Sequence, residues 1–318
     1  MRYCIGVDLG GTNIAVGLID LDGKVILHKK SVKTRAPRPC EEISSDIKDV
    51  CLELCRMEDI SLSSVEWIGV ATPGIVRNGV VIDAFNLGWS NEPFGEIVSR
   101  ITGRPTYVAN DANAAAYAEA KWGCGAGEDS LIAVTLGTGI GGGIILDGKI
   151  WEGFNGFAAE LGHMVIDVGG RRCTCGLRGC LEAYCSASAL VGETKRMMNL
   201  YPDRKMWDLV KGDIDRVDGR TAFLANREND MAASQIIYDF VNYLAIGIAN
   251  IINIFQPSVV CLGGGISGQG EELMKPLRDR LRYTSFGTKD SNTRVEAAVY
   301  KNDAGIIGAG LLGLMEDK

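Results

Sequence analysis

Three cysteines lie within eight positions of the segment RCTCGLRGC, residues 172–180. A single residue separates Cys173 from Cys175, which is too close for an easy disulfide. With His163, these two cysteines and Cys180 supply one nitrogen and three sulfurs, a complete ligand set for a tetrahedral structural zinc. Three reduced structural cysteines are the alternative, and a catalytic zinc is disfavoured because four protein ligands leave no open position. The segment therefore predicts a zinc-stabilised loop.

This loop is predicted to hold substrate ligands in place. Gly176 and Gly179 let it turn tightly between the cysteines, and the upstream segment FNGFAAELGHMVID places Glu160 three residues before His163. An anchored loop keeps its side chains in one orientation. We therefore expect the zinc loop to fix His163, with Glu160 and Glu182 on either side of it, against a substrate pocket.

An acidic residue stands at a predicted strand–helix junction. The segment RPTYVANDANAAAYAEAKWGCG predicts a short strand, then Asn110 and Asp111, then an alanine-rich helix ended by Gly123. Asp111 is either the N-cap of that helix or a general base, with Asn110 beside it as a hydrogen-bond partner for the substrate. As a base it would accept a hydroxyl proton while the oxygen attacks a phosphorus in line. Both interpretations stay open on this segment alone.

Two segments share one pattern: IGVDLGGTNIAVGLIDLDGKVI, residues 5–26, and IAVTLGTGIGGGIILDGKI, residues 132–150. Each has an apolar β-type run, a Gly/Thr turn, a second apolar run and an Asp-Gly hairpin signal before a third run. This similarity predicts two related domains. The second segment also matches the dinucleotide-binding fingerprint Gly137-x-Gly139-x-x-Gly142. That fingerprint requires a helix directly after the glycines, whereas the sequence predicts another strand, so we reject it.

The two glycine turns are candidate phosphate-binding sites. Backbone N–H groups without a neighbouring Cβ can face phosphate oxygens, Thr12 and Thr138 add hydroxyl donors, and Asp8 is placed to hold a hydrated Mg²⁺. The alternative is a pair of tight hairpins without a ligand. A third cluster in PSVVCLGGGIS, residues 257–267, lies between an apolar strand and a helix predicted from about residue 270 to 282. It would admit a flat ligand such as an adenine-ribose.

The composition favours a soluble globular protein over a membrane protein or a nucleic-acid-binding protein. A chain of 318 residues is long enough for two domains, and 46% hydrophobic with 23% charged residues is typical of a soluble globular protein. A net charge of -7 argues against nucleic acid or an anionic membrane as partner. The apolar run FVNYLAIGIANIINIF contains three asparagines, which favours a buried helix over a membrane span. Ten irregularly spaced cysteines and an amino terminus without a signal-peptide pattern indicate the cytoplasm.

Four of these motifs together resemble those of the ROK family (repressors, uncharacterised reading frames and sugar kinases), and most closely its bacterial glucokinases. DLGGTN (8–13) and LGTGIGGG (136–143) resemble the family's two phosphate motifs, and ELGH (160–163) resembles its sugar-binding motif. CTCGLRGCLE (173–182) fits its zinc signature Cys-x-Cys-Gly-x-x-Gly-Cys-x-Glu at every defined position. The family often has Gly before the glutamate of the sugar motif, where this chain has Ala159. We expect that methyl group to change the loop fit slightly and to leave the reaction unchanged.

The resemblance implies a fold and a domain division. We expect an α/β protein of two ribonuclease-H-like domains, as in the actin/hexokinase superfamily, with an interdomain cleft that closes by a hinge on the sugar. Residues 1–112 plus 301–318 would form a small amino-terminal domain. Residues 113–300 would form a large domain with the zinc loop and the nucleotide site.

The resemblance also implies the activity, transfer of phosphate from Mg-ATP to the 6-hydroxyl of a hexose, with a structural zinc. Asp111 would be the catalytic base, and His163 would serve zinc with one ring nitrogen and the sugar with the other. The implied substrate-binding residues are Gly74, Asn86, Asn110, Asp111, Glu160, His163 and Glu182. The implied nucleotide-binding residues are Asp8, Gly10, Gly11, Thr12, Asn13, Gly137, Thr138, Gly139, Gly263, Gly264 and Gly265. The implied zinc ligands are His163, Cys173, Cys175 and Cys180.

Other functions remain open within this reading. Glucose is the first candidate substrate, modestly supported by NLGW (86–89), and the alternative is an N-acylmannosamine, fructose or allose kinase. A non-catalytic sugar-responsive regulator is a further alternative, but family repressors carry a helix-turn-helix before the first phosphate motif, for which Asp8 leaves no room. A chaperone or filament-forming ATPase would not need the zinc loop. The family makes a homodimer or homotetramer the expectation, and polyphosphate or ADP as donor stays open.

Overall fold

The computed structural model describes residues 1–202, 205–284, 286 and 292–315. The chain divides into two compact units, which we call unit one and unit two. Unit one contains residues 1–130, 143–158 and 299–318, and unit two contains residues 131–142 and 159–298. Unit one is therefore assembled from three separate segments of the chain.

Strands and helices follow one another in both units, so the chain is mixed α/β, as predicted. The strands are β1 (Tyr3–Leu9), β2 (Asn13–Asp20), β3 (Val25–Lys33), β4 (Val65–Thr72), β5 (Ile75–Arg77), β6 (Val80–Ala84), β7 (Trp89–Glu92), β8 (Thr106–Asn110), β9 (Leu131–Leu136), β10 (Ile140–Leu146), β11 (Lys149–Ile150), β12 (Val259–Gly263) and β13 (Arg294–Ala297). The helices are α1 (Cys40–Met57), α2 (Phe94–Thr102), α3 (Asp111–Lys121), α4 (Glu182–Cys185), α5 (Ala187–Leu200), α6 (Lys205–Leu209), α7 (Thr221–Arg227), α8 (Met231–Phe255), α9 (Glu271–Thr284) and α10 (Ala304–Leu311).

Among the described residues, two five-stranded sheets share one topology. Their orders are β3-β2-β1-β4-β8 and β11-β10-β9-β12-β13. In the first, β1, β2 and β3 are antiparallel neighbours, whereas β4 and β8 continue the sheet in parallel with β1. In the second, β12 is parallel to both β9 and β13, and β10 is antiparallel to β11. The matching order confirms the repeated strand–turn–strand pattern that the sequence predicts.

Helix α10 packs with its backbone directly on the sheet of unit one. A Cβ atom added at Gly6 of β1 or at Gly69 of β4 would collide with a carbonyl oxygen of α10. On its other side, a Cβ at Gly308 of α10 would collide with the backbone of α3. Because only glycine lacks a Cβ, these positions allow α10 to hold α3 in place. Helix α3 begins with Asp111, so this packing positions the candidate base.

The packing of α3 explains one difference between the compact units and the predicted division. The predicted small domain ends at residue 112, within α3, whereas the whole helix clusters with unit one because it contacts α10. The predicted ranges 1–112 plus 301–318 and 113–300 also contain residues outside the described ones, namely 203, 204, 285, 287–291 and 316–318. The predicted bounds stay a prediction.

Helix α8 is the apolar helix that the sequence predicts to be buried. By length and composition it could cross a membrane, yet 61% of its apolar window is buried inside the protein. Its first turn is capped by Asp230, whose Oδ1 accepts hydrogen bonds from the Ala232 N–H (2.9 Å) and the Ala233 N–H (3.0 Å). The helix therefore serves as core of unit two.

Replacing Gly6 with alanine should lower the free energy of unfolding by about 1–3 kcal/mol, because the new methyl group forces α10 away from β1. Gly192→Ala is the matched control, since a Cβ there meets nothing within 4 Å. In the helix interior that change should instead stabilise by about 0.5–1 kcal/mol. Urea unfolding followed by circular dichroism measures both effects, and equal shifts for the two variants would contradict the packing argument.

Candidate functional site

The first glycine turn, between β1 and β2, is braced by a residue from further along the chain. The Gly10 N–H donates to the Asn13 carbonyl (2.9 Å). The Thr34 hydroxyl donates to the Gly10 carbonyl (2.6 Å), and the Thr34 N–H donates to the Thr12 carbonyl (3.0 Å). Thr34 is fully buried, and sequence analysis missed it because no local pattern marks it. The turn therefore has a fixed shape, which suits an anion-binding turn.

Asn86 lies beside this turn. A Cβ atom added at Gly11 would be 3.3 Å from the Cβ of Asn86. The segment that carries Asn86 is a tight turn, in which the Leu87 N–H donates to the Ala84 carbonyl (2.9 Å). The structure thus brings a predicted substrate ligand next to a predicted phosphate turn within unit one.

Asn110, rather than Asp111, caps helix α3. Its Oδ1 accepts hydrogen bonds from the Ala112 N–H (2.9 Å) and the Asn113 N–H (3.2 Å). Its Nδ2 donates to the Gly74 carbonyl (3.0 Å). Asp111 is the first helical residue, and its Oδ1 accepts a 2.8 Å hydrogen bond from the Ala112 N–H. Because Asn110 performs the capping, the N-cap interpretation of Asp111 is wrong and its carboxylate is available for chemistry.

Two carboxylates of unit one, Asp8 and Asp111, have raised pKa values. Asp111 keeps a solvent-exposed face, yet partial burial of its carboxylate raises its pKa. Hydrogen bonds such as that from the Ala112 N–H act in the opposite direction and lower the pKa. Burial raises the pKa of Asp8 to about 6, and the negative charge of Asp111 adds to that rise. Asp8 also lies against the start of α10, where a Cβ at Gly305 would be 2.5 Å from its Oδ2. Two neighbouring carboxylates of this kind can divide two roles, in which Asp8 holds a cation and Asp111 accepts a proton.

The second glycine turn, between β9 and β10, is held from several sides within unit two. The Gly137 N–H donates to the Gly139 carbonyl (3.0 Å), and the Ala187 N–H donates to the Gly137 carbonyl (2.8 Å). Glu182 accepts a 2.9 Å hydrogen bond from the Ile140 N–H with its Oε2. As in the first turn, the backbone is fixed by contacts from elsewhere in the chain.

The third glycine cluster lies directly beside the second turn. Gly263 of β12 pairs with Thr135 of the parallel strand β9. Gly264 has φ +82°, and a Cβ there would collide with the backbone of Leu136, so the position requires glycine. Helix α9 follows, close to its predicted span. The predicted phosphate and adenosine segments therefore meet at the ends of neighbouring strands.

The four predicted zinc ligands come together in unit two. Cys173 Sγ lies 3.7 Å from His163 Nδ1, and Cys175 Sγ lies 3.7 Å from Cys180 Sγ. All four ligand atoms lie within 4.8 Å of one another. With zinc–sulfur bonds of about 2.3 Å, the edge of a tetrahedron is about 3.8 Å, whereas a disulfide needs about 2.05 Å. The residues therefore fit a tetrahedral zinc and do not form a disulfide.

The protonation of Cys180 also bears on metal binding. Burial, followed by the neighbouring cysteine sulfurs, raises the pKa of Cys180 to about 12. A thiol of this kind keeps its proton at neutral pH, and zinc binding must release it.

A buried tyrosine braces the zinc loop. The Tyr184 hydroxyl donates to Asp167 Oδ2 (2.6 Å) and accepts from the Arg171 N–H (2.7 Å). The Arg171 guanidinium also lies 4.8 Å from the centre of the Tyr184 ring. Gly176 and Gly179 have φ +93° and +81°, as expected of glycines that let the loop turn tightly. Sequence analysis identified these glycines but missed Tyr184, because its partners are set by tertiary packing.

The sugar motif places a carboxylate near the outer nitrogen of the histidine. His163 Nε2 lies 3.9 Å from Glu160 Oε2, and the Glu160 side chain is 66% exposed. Ala159 has φ +68°, a left-handed conformation that favours glycine. The departure from the family pattern at Ala159 is therefore a strained residue, beyond the slight change of fit that the sequence predicts.

The predicted site residues fall into two sets. In unit one lie Asp8, Gly10, Gly11, Thr12, Asn13, Gly74, Asn86, Asn110 and Asp111. In unit two lie Gly137, Thr138, Gly139, Glu160, His163, Cys173, Cys175, Cys180, Glu182, Gly263, Gly264 and Gly265.

Comparison with known proteins identifies the relatives of this chain. Residues 4–316 match the model of the ROK family. The chain is 37% identical to a glucokinase of Thermotoga maritima over 308 residues, which are 96% of this chain and 95% of the relative. The solved structure of a ROK family glucokinase from Streptomyces griseus, in complex with glucose and AMPPNP, superposes with a TM-score of 0.78 at 36% identity, covering 98% of both chains.

A regulator is also among the relatives. The chain is 32% identical to a putative xylose repressor of Caldicellulosiruptor over 307 residues. These residues are 96% of this chain but only 76% of the repressor, so the repressor contains a further segment.

Asp8→Asn should raise the free energy of unfolding of the metal-free and nucleotide-free protein at pH 8 by about 1–3 kcal/mol. Between the ordinary pKa of 3.8 and the folded value of about 6, the folded protein binds more protons than the unfolded chain. Its stability therefore falls as pH rises through this window, and the amide avoids that loss. At a pH below the ordinary value the gain should vanish.

Denaturant unfolding of the wild type and Asp8→Asn at several pH values measures this dependence. Asp49→Asn, at an exposed position of α1, is the matched control. A gain from Asp8→Asn that is equal at acidic and alkaline pH would refute the electrostatic explanation.

Ala159→Gly should raise the free energy of unfolding by about 0.5–1 kcal/mol, since it relieves the positive φ. Ala158→Gly, one residue earlier and outside the left-handed region, should lower it by a similar amount. Thermal unfolding of the two variants compares them directly, and stabilisation by both or by neither would show that the conformation at 159 is not strained.

Proposed function

The chain belongs to the ROK family, and on that premise we propose that it transfers the terminal phosphoryl group of Mg-ATP to the 6-hydroxyl of a hexose, with glucose as first candidate. The similarity to a named glucokinase over nearly the whole chain supports this activity. So does the likeness to a glucokinase structure that contains glucose and an ATP analogue.

The observation that carries the proposal is the placement of Asp111. Asn110 takes over the helix cap, and the carboxylate of Asp111 at the start of α3 stays solvent-accessible with a raised pKa. A carboxylate with these properties suits a general base. It accepts the proton of the sugar hydroxyl while that oxygen forms a bond to the γ-phosphorus and the bond from phosphorus to ADP breaks. Transfer is direct, without a covalent enzyme intermediate.

The glycine turns are assigned to the nucleotide. The turn at Gly10 to Asn13 and the turn at Gly137 to Gly139 donate backbone N–H groups to phosphate oxygens, and residues 263–265 face the adenosine. Asp8 would hold a hydrated Mg²⁺, which neutralises charge on the triphosphate when bound. Because the turns are braced before the nucleotide arrives, little reorganisation accompanies binding.

The sugar hydroxyls other than the reacting one are assigned to a second group of side chains. These are Asn86, Asn110, Glu160, His163 and Glu182, with a backbone contact at Gly74. Asn110 Nδ2 already donates one N–H to Gly74, and an amide nitrogen carries a second donor for the sugar. Asn110 thus positions Asp111 and contacts substrate at once.

A structural zinc is assigned to His163, Cys173, Cys175 and Cys180, whose spacing fits a tetrahedral ion. Zinc supplies no reaction step and holds the loop together. Because His163 Nδ1 faces the cysteines, its Nε2 is left for the sugar. We place the protein in the cytoplasm as a homodimer or homotetramer, without nucleic acid or membrane partners. The ten cysteines, all among the described residues, form no disulfide, which suits the cytoplasm, and the net charge of -7 disfavours nucleic acid and anionic membranes.

A sugar-responsive regulator is the second candidate, supported by the similarity to a putative repressor. The two functions differ in turnover, so an ADP-release assay with Mg-ATP separates them. The assay is run with glucose, mannose, fructose, allose, N-acetylglucosamine and N-acetylmannosamine. One sugar with kcat/KM about 10³-fold above the others identifies the substrate. Binding of a sugar without turnover of any of them would favour the regulator.

Asp111→Asn should lower kcat by a factor of about 10³ or more while the sugar KM changes less than about threefold, because the amide keeps the shape and cannot accept the proton. Asp49→Asn, at an exposed position of α1, serves as control and should match the wild type. Loss of sugar binding with kcat retained in Asp111→Asn would show that Asp111 binds substrate and is not the base.

A further inference from the structure

Glu182 joins two parts of unit two. Its Oε2 accepts a 2.9 Å hydrogen bond from the Ile140 N–H, directly after the second glycine turn. Its Oε1 accepts a 3.0 Å hydrogen bond from the hydroxyl of Thr174, which lies between zinc ligands Cys173 and Cys175. One carboxylate therefore touches both the turn assigned to phosphate and the loop assigned to zinc.

The carboxylate is also packed closely against the turn. A Cβ atom at Gly139 would collide with Glu182 Oε2, so the absence of a side chain at Gly139 is what admits the contact. The turn and the loop border a common cavity of about 410 Å³, lined by Thr138 and Gly139 on one side and by Arg172 and Thr174 on the other. A shift of the loop therefore acts directly on the turn.

The backbone that carries Glu182 has little freedom to absorb such a shift. Leu181 is fully buried, and its N–H donates to the Met164 carbonyl (2.9 Å). Its side chain packs on α8 at Gly247, where an added Cβ would be 2.7 Å from a Leu181 methyl carbon. With its backbone fixed, the position of the Glu182 carboxylate depends on its hydrogen-bond partners. These are the Ile140 N–H, the Thr174 hydroxyl and the Cys173 thiol, whose Sγ lies 3.6 Å from Oε1.

We propose that Glu182, besides the sugar contact assigned to it above, positions the second glycine turn and so couples the zinc loop to the nucleotide. Metal bound by the four ligands orders Thr174, Thr174 holds the carboxylate of Glu182, and Glu182 holds the Ile140 N–H and with it the turn at Gly137 to Gly139. Zinc thereby strengthens nucleotide binding even without sugar. This inference rests on the proposed function only in assigning that turn to nucleotide phosphates.

The test measures ADP binding by titration calorimetry, without sugar, on the full chain with and without zinc. Removing zinc from the wild type should weaken ADP binding by about 5–20-fold, and by linkage ADP should tighten zinc binding by the same factor, measured by competition with a chelator. Thr174→Val, which keeps all four ligands, should bind ADP more weakly than the wild type when loaded with zinc. Its ADP affinity should then change less than that of the wild type when zinc is removed, because only the Cys173 contact still joins the loop to Glu182.

Thr174→Ser is the matched control, because it keeps the hydroxyl and should restore both the affinity and its dependence on zinc. Glu182→Ala removes the acceptor of the Thr174 hydrogen bond and should weaken ADP binding and its dependence on zinc as Thr174→Val does. Unchanged ADP affinity on removing zinc from the wild type overturns the proposal, and so does equal zinc dependence in Thr174→Val and the wild type. If removing zinc unfolds the protein, the test uses the zinc-loaded variants alone. The proposal is then overturned if zinc-loaded Thr174→Val and Glu182→Ala bind ADP as tightly as the wild type.

These outcomes are separate from those that test the proposed function. A chain that phosphorylates no hexose, yet binds ADP in a zinc-dependent way, keeps this proposal and loses the proposed function. A chain that phosphorylates glucose, yet binds ADP equally with and without zinc, keeps the proposed function and loses this proposal.

Discussion

Direct backbone packing of helix α10 is the contact on which the candidate base depends. Glycines on β1 and β4 let α10 lie on the sheet of unit one, and Gly308 lets α3 lie on α10. Helix α3 in turn begins with Asp111, beside its cap Asn110. Contacts between backbones leave no flexible side chain to absorb motion. The candidate base therefore rests on closely packed backbone.

Two features among the predicted site residues cost stability, one in each unit. The carboxylates of Asp8 and Asp111 repel each other, and Ala159 adopts a left-handed conformation. Each feature costs stability, and each lies in a motif assigned to ligand binding. Strain concentrated at such positions is typical of sites held ready for a ligand that relieves it. A cation beside Asp8 is the kind of ligand that would do so.

Sequence reasoning succeeded where the chemistry is local. The clustering of His163 with three cysteines was predicted because residue type and spacing over a few positions define such a group. The repeated hairpin pattern likewise pointed to the two related sheets. Sequence reasoning missed the residues whose contacts are set by tertiary packing. Thr34 and Tyr184 brace the site through partners more than ten residues away in the chain. Of the two interpretations that the sequence left open for Asp111, the structure excludes the N-cap, because Asn110 caps α3.

The route of the chain also sets the order of assembly during synthesis. Unit two needs residues 131–142 and 159–298, whereas unit one also needs residues 299–318. The ribosome therefore completes unit two first. Until α10 emerges, the sheet surface around Gly6 and Gly69 is uncovered, and long-range closure of this kind is slow and prone to aggregation.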